Sequence, residues 1–206
     1  MNDAILPFDP YNLIITGVGG QGNVLASRVV GKMLMEKGLN VTIGETFGAS
    51  QRGGSVMSHL RISKDSEFSP QIPKGKAHMV IALEPTEALR VLNDYGNPDV
   101  NILYNTRPIH SIGVICGEQE YPSNEDLDKW ISMLSKQAWA INTTDEAVKL
   151  GNPVFGNIMI VGALASTGIL PLDLECFKKI IAGIMSADKV QINLTAFEQG
   201  KKMIPN

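Results

Sequence analysis

The chain has 206 residues, 44% of them hydrophobic and 19% charged, with a formal net charge of −3 at pH 7. That length supports one domain with a real core. The mild acidity excludes the basic footprint of a nucleic-acid binder or a membrane-surface patch, and no apolar run approaches the ~20 residues that cross a bilayer.

Residues 1–11, MNDAILPFDPY, carry Asp3 and Asp9 and lack the basic and apolar regions of a signal peptide. They read as a short arm before a single domain over residues 12–206, and the protein is expected in the cytoplasm. Leu13–Thr16 reads as a short buried strand, followed by Gly17, Gly19, Gly20, Gln21 and Gly22 and then by a helix to Lys37. That helix has an apolar stripe of Leu25, Ala26, Val29, Val30 and Met33, with Gly38 as its stop. Val41–Glu45 and Ser55–Ser63 are strands, the second alternating with Val56, Ser58, Leu60 and Ile62 on one face. Met79–Leu83 is a central strand, and Pro85 opens a helix that reads to Tyr95. Val100–Tyr104, Ile112–Cys116 and Trp139–Asn142 complete the strands.

Ser123 with Asp126 signals a helix start, as does Thr143 with Glu146 for a short helix ending at Gly151. The final third is helical. Asn157–Gly168 is apolar all round and reads as a buried helix, with Gly162 and Ser166 as a small-residue face. Helices follow around Phe177, Ile180, Ile181 and Ile184, and around Val190, Leu194 and Phe197. Strands alternating with helices predict an α/β fold with a doubly wound, mainly parallel, Rossmann-like sheet and a helical C-terminal third.

Gly17, Gly19 and Gly22 match G-x-G-x-x-G with a strand before and a helix after. Glycine suits a sharp exit from the strand, where a Cβ would hold the backbone away from a bound group or a neighbouring helix. Open amides at the following helix start attract an anion. The same loop also serves as a tight β–α junction that binds nothing. Gln51, Arg52, Gly53 and Gly54 form a second glycine site, where backbone amides and a guanidinium fork suit phosphate or carboxylate, or where the glycines simply make a turn. Both loops would sit at the carboxyl edge of the sheet and face one crevice. Glu45 lies 23 residues after Gly22, near the place of a ribose-binding acid in a dinucleotide fold.

Cys116 and Cys176 are the two cysteines, with no Cys-x-x-Cys, so this chain alone cannot assemble an iron–sulfur cluster or a structural zinc site. Both read as small buried hydrophobes. His59, His78 and His110 show no metal-ligand spacing, and no Ser/His/Asp set nominates a catalytic residue.

GVGGQG at 17–22, ETFGASQRGGSVMSHLRIS at 45–63 and GNIMIVGALASTGILP at 156–171 resemble the γ-type subunit of 2-oxoacid:ferredoxin oxidoreductases. The QRGGSVMSHLR wording is most similar to the small (β) subunit of the indolepyruvate branch, and the resemblance runs from about Asn12 to Lys202. It implies a partner-dependent enzyme that decarboxylates a 2-oxoacid on thiamine diphosphate, sends electrons through iron–sulfur clusters to ferredoxin and releases an acyl-CoA. It further implies that thiamine diphosphate and the clusters belong to a large subunit, while this chain completes the complex and helps form a coenzyme A crevice. Gly17–Gly22 and Gln51–Gly54 are the expected contributors, with Arg52 holding a phosphate or carboxylate. In isolation the chain could pair with a second copy of itself through the surface meant for the partner. Other oxoacids (pyruvate, 2-oxoisovalerate, 2-oxoglutarate) stay open, as do a self-contained nucleotide-binding protein and a scaffold whose glycine loops serve packing alone.

Overall fold

A computed structural model describes residues 6–48 and 54–204. Every residue of the first strand, β1 (Tyr11–Val18), is buried, and the sheet is built outward from it. On one side, β2 (Asn40–Phe47) and β3 (Ser55–Ser63) form a hairpin whose β3 lies antiparallel along β1, Tyr11 opposite Ile62 and Val18 opposite Ser55. On the other side β4 (Met79–Ala82), β5 (Asn101–Asn105) and β6 (Gln137–Ile141) follow in parallel. The order is β2-β3-β1-β4-β5-β6.

The expected doubly wound α/β sheet is present, with one strand reversed. β3 runs against all the others because only residues 48–54 separate it from β2. A connection that short closes a hairpin, whereas a parallel return needs a crossover of a dozen residues or more.

Pleating splits the apolar strand residues between two cores. Leu13 and Ile15 point into one core with Leu60, Met79, Ile81 and Leu103, covered by α1 (Asn23–Glu36) and α6 (Gly156–Ser166). Ile14 points into the other with Val80, Ile102 and Tyr104, covered by α2 (Pro85–Tyr95) and by Ile131 of α4 (Asn124–Met133). Period-two alternation within continuous apolar strands is what a sheet covered on both faces requires.

The α6 helix is buried all round because the sheet lies on one side and α8 (Ala187–Lys201) on the other, with α7 (Leu174–Ile184) alongside. The sequence expects a small-residue face there. Gly162 meets the backbone of α8 as that face requires, and Gly200 of α8 is bare opposite α6 in turn. A Cβ at Gly162 would stand 2.0 Å from the Phe197 carbonyl oxygen, and one at Gly200 would stand 1.9 Å from that of Met159. Phe177 and Phe197 stack at 4.2 Å between centroids to seal α7 onto α8.

Three further expectations need correction. Ile112–Cys116 is not a strand: Ile112–Ile115 forms a short helix, α3, whose Ser111 cap accepts from the Val114 N–H. A five-residue apolar run has no periodicity that separates the two forms, and this one lies exposed with no sheet edge to join. The cap of α5 (Thr143–Lys149) is Asn142, whose side chain accepts from Asp145 N at 3.0 Å, because Thr143 is already turned inward. Cys176 is buried as expected, but Cys116 is exposed.

His59 is buried on β3 with Nδ1 accepting from Ile72 N at 3.3 Å and Nε2 without a partner among the described residues. Burial holds its imidazole below the ordinary histidine range, so it stays neutral in the fold. The unfolded chain takes up that proton first as pH drops through about 6.5, so stability falls on acidification. Urea midpoints at pH 7.5 and 5.5 should show a smaller acid loss in His59→Gln than in the parent; equal losses would remove His59 from the cause. A second outcome concerns the helix contact. Gly162→Ala forces two backbones apart and should cost about 3 kcal/mol in urea unfolding, and a loss below roughly 0.5 kcal/mol would mean that α8 yields freely.

Candidate functional site

The crevice follows from the winding. The chain leaves β1 over one face through α1 and leaves β4 over the other through α2, so the carboxyl ends of β1 and β4 part and open a gap. A cleft of about 360 Å³ lies there. Val18, Gly19, Gly20 and Gln21 form one wall, Leu83 and Asn105 the floor at the ends of β4 and β5, and residues 152–154, Gly156 and Asn157 with Thr143 and Thr144 the opposite wall.

Gln21 shapes the loop. Its Oε1 accepts from Val18 N at 2.8 Å and its Nε2 donates to Leu83 O at 2.6 Å, so one side chain ties the end of β1 to the end of β4. Gly17 is bare for that reason: a Cβ there would meet Gln21 Oε1 at 2.6 Å and Asn23 Oδ1 at 2.7 Å. Gly20 (φ +104°) and Gly22 (φ +82°) adopt backbone conformations that side chains resist, and a Cβ on Gly22 would stand 2.1 Å from Asn157 Nδ2. The third glycine of the motif therefore brings α1 against the start of α6. Of the first loop, Gly19, Gly20 and Gln21 face the cleft, while Gly17 and Gly22 lie behind it.

The second glycine site adjoins the first at its described end. Gly19 N donates to Gly54 O at 2.8 Å, because the β2–β3 hairpin turns at the same sheet edge where β1 ends. Gln51, Arg52 and Gly53 lie outside the described residues. Glu45 stays away from the cleft: it sits on β2, with β3 between it and β1, and pairs with Arg28 at 3.8 Å.

Asn105 and Asn157 are the residues that sequence reasoning missed. Asn105 is buried; its Nδ2 donates to Leu83 O at 3.1 Å and Thr144 Oγ1 at 2.9 Å, and its Oδ1 accepts from Thr143 N at 3.0 Å. It welds the floor to the start of α5. Asn157 donates to Gly22 O at 3.4 Å across the two walls. Each is a lone amide at the end of an apolar run, a pattern that marks a buried hydrogen-bonding duty at the edge of an element.

The polarity of the cleft is uneven. The first N–H groups of α5 are already used by Asn105 and Asn142. That of Gly156 is used by the carbonyls of the 3-10 turn Pro153–Phe155. Among the described residues, the N–H groups of Gly20 and Gly22 have no acceptor. Among the described residues the lining carries no ionisable side chain. No group of three or more His, Cys, Asp and Glu among the described residues is placed to hold a metal. The arrangement can bind and orient an anion-bearing ligand, and among the described residues its lining presents no general acid or base.

A family model described as pyruvate ferredoxin/flavodoxin oxidoreductase matches residues 12–203. The chain belongs to that family. Indolepyruvate oxidoreductase subunit IorB of Pyrococcus horikoshii is 35% identical over 193 residues, spanning 93% of this chain and 95% of that one. The γ subunit of a keto/oxoacid ferredoxin oxidoreductase from Geobacter sulfurreducens superposes with a TM-score of 0.65 at 20% identity, over 94% of this chain and 97% of that chain. The 2-oxoglutarate:ferredoxin oxidoreductase of Magnetococcus marinus, solved with 2-oxoglutarate, coenzyme A and succinyl-CoA bound, superposes with a TM-score of 0.72 at 18% identity, over 95% of this chain and 31% of that chain. The two structural likenesses speak for the fold.

Gln21→Ala removes the side chain that joins Val18 N to Leu83 O and leaves Val18 N to find water, while Leu83 O keeps Asn105 Nδ2. It should cost about 2 kcal/mol in urea unfolding and speed hydrogen exchange at the Val18 amide. Exchange there at the parental rate would show that the loop keeps its shape without the amide.

Proposed function

We propose that this chain supplies the wall of a coenzyme A crevice in an indolepyruvate-class 2-oxoacid:ferredoxin oxidoreductase, as the small subunit beside a large subunit that carries thiamine diphosphate and the iron–sulfur clusters. The observation that carries the reading is a cleft whose glycine wall presents the Gly20 N–H without an acceptor and whose lining, among the described residues, carries no ionisable group. Such a cleft orients a ligand; the carbon–carbon cleavage and the electron transfer belong to groups held elsewhere.

Coenzyme A suits what is present. Its phosphates are acceptors for the Gly20 N–H and, on this reading, for the Arg52 guanidinium, and the apolar and amide-lined remainder accommodates an uncharged pantetheine arm. When bound, it supplies the thiol that takes the acyl group and releases it as a thioester. The two cysteines do not suit a cluster, since Cys116 is exposed and Cys176 is buried on α7 against Met33 O. Ferredoxin therefore exchanges electrons with the partner.

The dinucleotide reading loses its support from β3. A ribose-binding acid stands at the end of the strand beside β1, and here that neighbour is the reversed β3, with Glu45 one strand further out. The indolepyruvate assignment follows the 35% identity to the IorB subunit, and on this reading the oxoacid pocket belongs to the large subunit.

Arg52→Ala in the reconstituted two-subunit enzyme should raise the KM for coenzyme A roughly tenfold, the cost of one charged hydrogen bond. Neither the KM for the oxoacid nor co-elution of the subunits should change. An unaltered coenzyme A dependence would reject the role of Arg52.

A further inference from the structure

Residues 106–122 link β5 to α4 without burying one side chain, and α3 in the middle leaves Ile112 79% and Ile115 72% exposed. Such a segment has little hydrophobic reason to stay in place. Its ends are fixed, by Thr106 N donating to Ile141 O at 2.9 Å and by Ser123, the cap of α4. Near its start Arg107 pairs with Asp145 at 3.7 Å and its carbonyl accepts from Asn105 Nδ2 at 3.5 Å; beyond that the segment is pinned at one carboxylate. Glu84, wholly buried, uses Oε2 to cap α2, accepting from Glu87 N at 2.9 Å and Thr86 Oγ1 at 2.6 Å. Its Oε1 reaches the segment, accepting the Tyr121 hydroxyl and, at 3.4 Å, the Ile109 N–H. Burial and this bond hold the Tyr121 phenol well above its ordinary pKa, so it remains a donor.

Ile109 has a particular position. The glycine-loop cleft and a second, polar cavity of about 280 Å³ beside Thr86, Arg90 and Tyr121 share Val18 and Ile109 in their linings. The pinned segment is thus a partition between two compartments of one groove.

We propose that residues 106–122 form a strap, latched by Tyr121 on Glu84, whose release removes the Ile109 partition and opens a single groove for an extended, flexible ligand. Unlatching is cheap for the rest of the fold, because Glu84 keeps Thr86 and the Glu87 amide and α2 keeps its cap. The use of the groove rests on the coenzyme A reading above; the latch is a property of the chain alone.

The full chain without ligand tests it. In Tyr121→Phe, cleavage by a Glu-specific protease at the exposed Glu118 and Glu120, together with hydrogen exchange at the Ile109 amide, should accelerate about tenfold. The amides of α1 and α2 should exchange at parental rates. Unchanged cleavage and exchange would overturn the strap, as would an acceleration shared equally by α2 and the sheet. A normal KM for coenzyme A in Arg52→Ala leaves this result untouched, so the two readings fail separately.

Discussion

The side-chain amide of Gln21 is the contact on which the working end of this protein depends. A parallel sheet must release its central strand into a helix at the point where backbone groups of β1 and β4 lose their neighbours. Gln21 folds back to satisfy Val18 N and Leu83 O together, which closes the sheet and sets the loop in the same stroke. Gly17 is bare to admit it, and Gly22 is bare to let α1 meet Asn157. What remains outward, Gly19 and Gly20 with Gln21 itself, is a rigid wall presenting backbone.

The reversed strand decides what that wall can serve. Inserting β3 between β1 and β2 moves the acidic strand end away from the glycine loop and brings the hairpin turn against it, Gly19 bonded to Gly54. A loop that in a dinucleotide fold faces a ribose-binding carboxylate here adjoins Gly54, the described end of the β2–β3 connection. The same short signature therefore sits in a different electrostatic setting, without that carboxylate beside it.

Division of labour follows from the chemistry of the lining. Amides and hydroxyls such as Asn105, Asn157, Thr143 and Thr144 are largely committed to holding walls together, and none of them titrates near neutrality. Two buried carboxylates, Glu84 and Glu87, lie just beyond, spent on capping α2 and on Ser55 and Arg90. Burial raises the Glu87 carboxyl above its usual range, against the pull of Ser55 and Arg90. On the function proposed above, a subunit organised in this way contributes shape and binding energy to a reaction whose bond-breaking groups reside in the partner.

Much of the fold was legible in one dimension. Alternation in Ser55–Ser63, the stripe of α1, Pro85 at a helix start and the capping pair Ser123–Asp126 are local signals, and the chain obeys them. The glycine loop was legible because its glycines answer local needs, a positive φ at Gly20 and Gly22 and room for the Gln21 side chain at Gly17. The direction of β3, the inward turn of Thr143, the pairing of Gly162 with Gly200 and the meeting of Gln21, Asn105 and Asn157 were not. Each depends on a partner far away in sequence, Leu83 for Gln21 and Phe197 for Gly162 among them. Periodicity records which face of an element is apolar; it carries no record of which distant backbone comes to lie against it, and only the closed sheet supplies that.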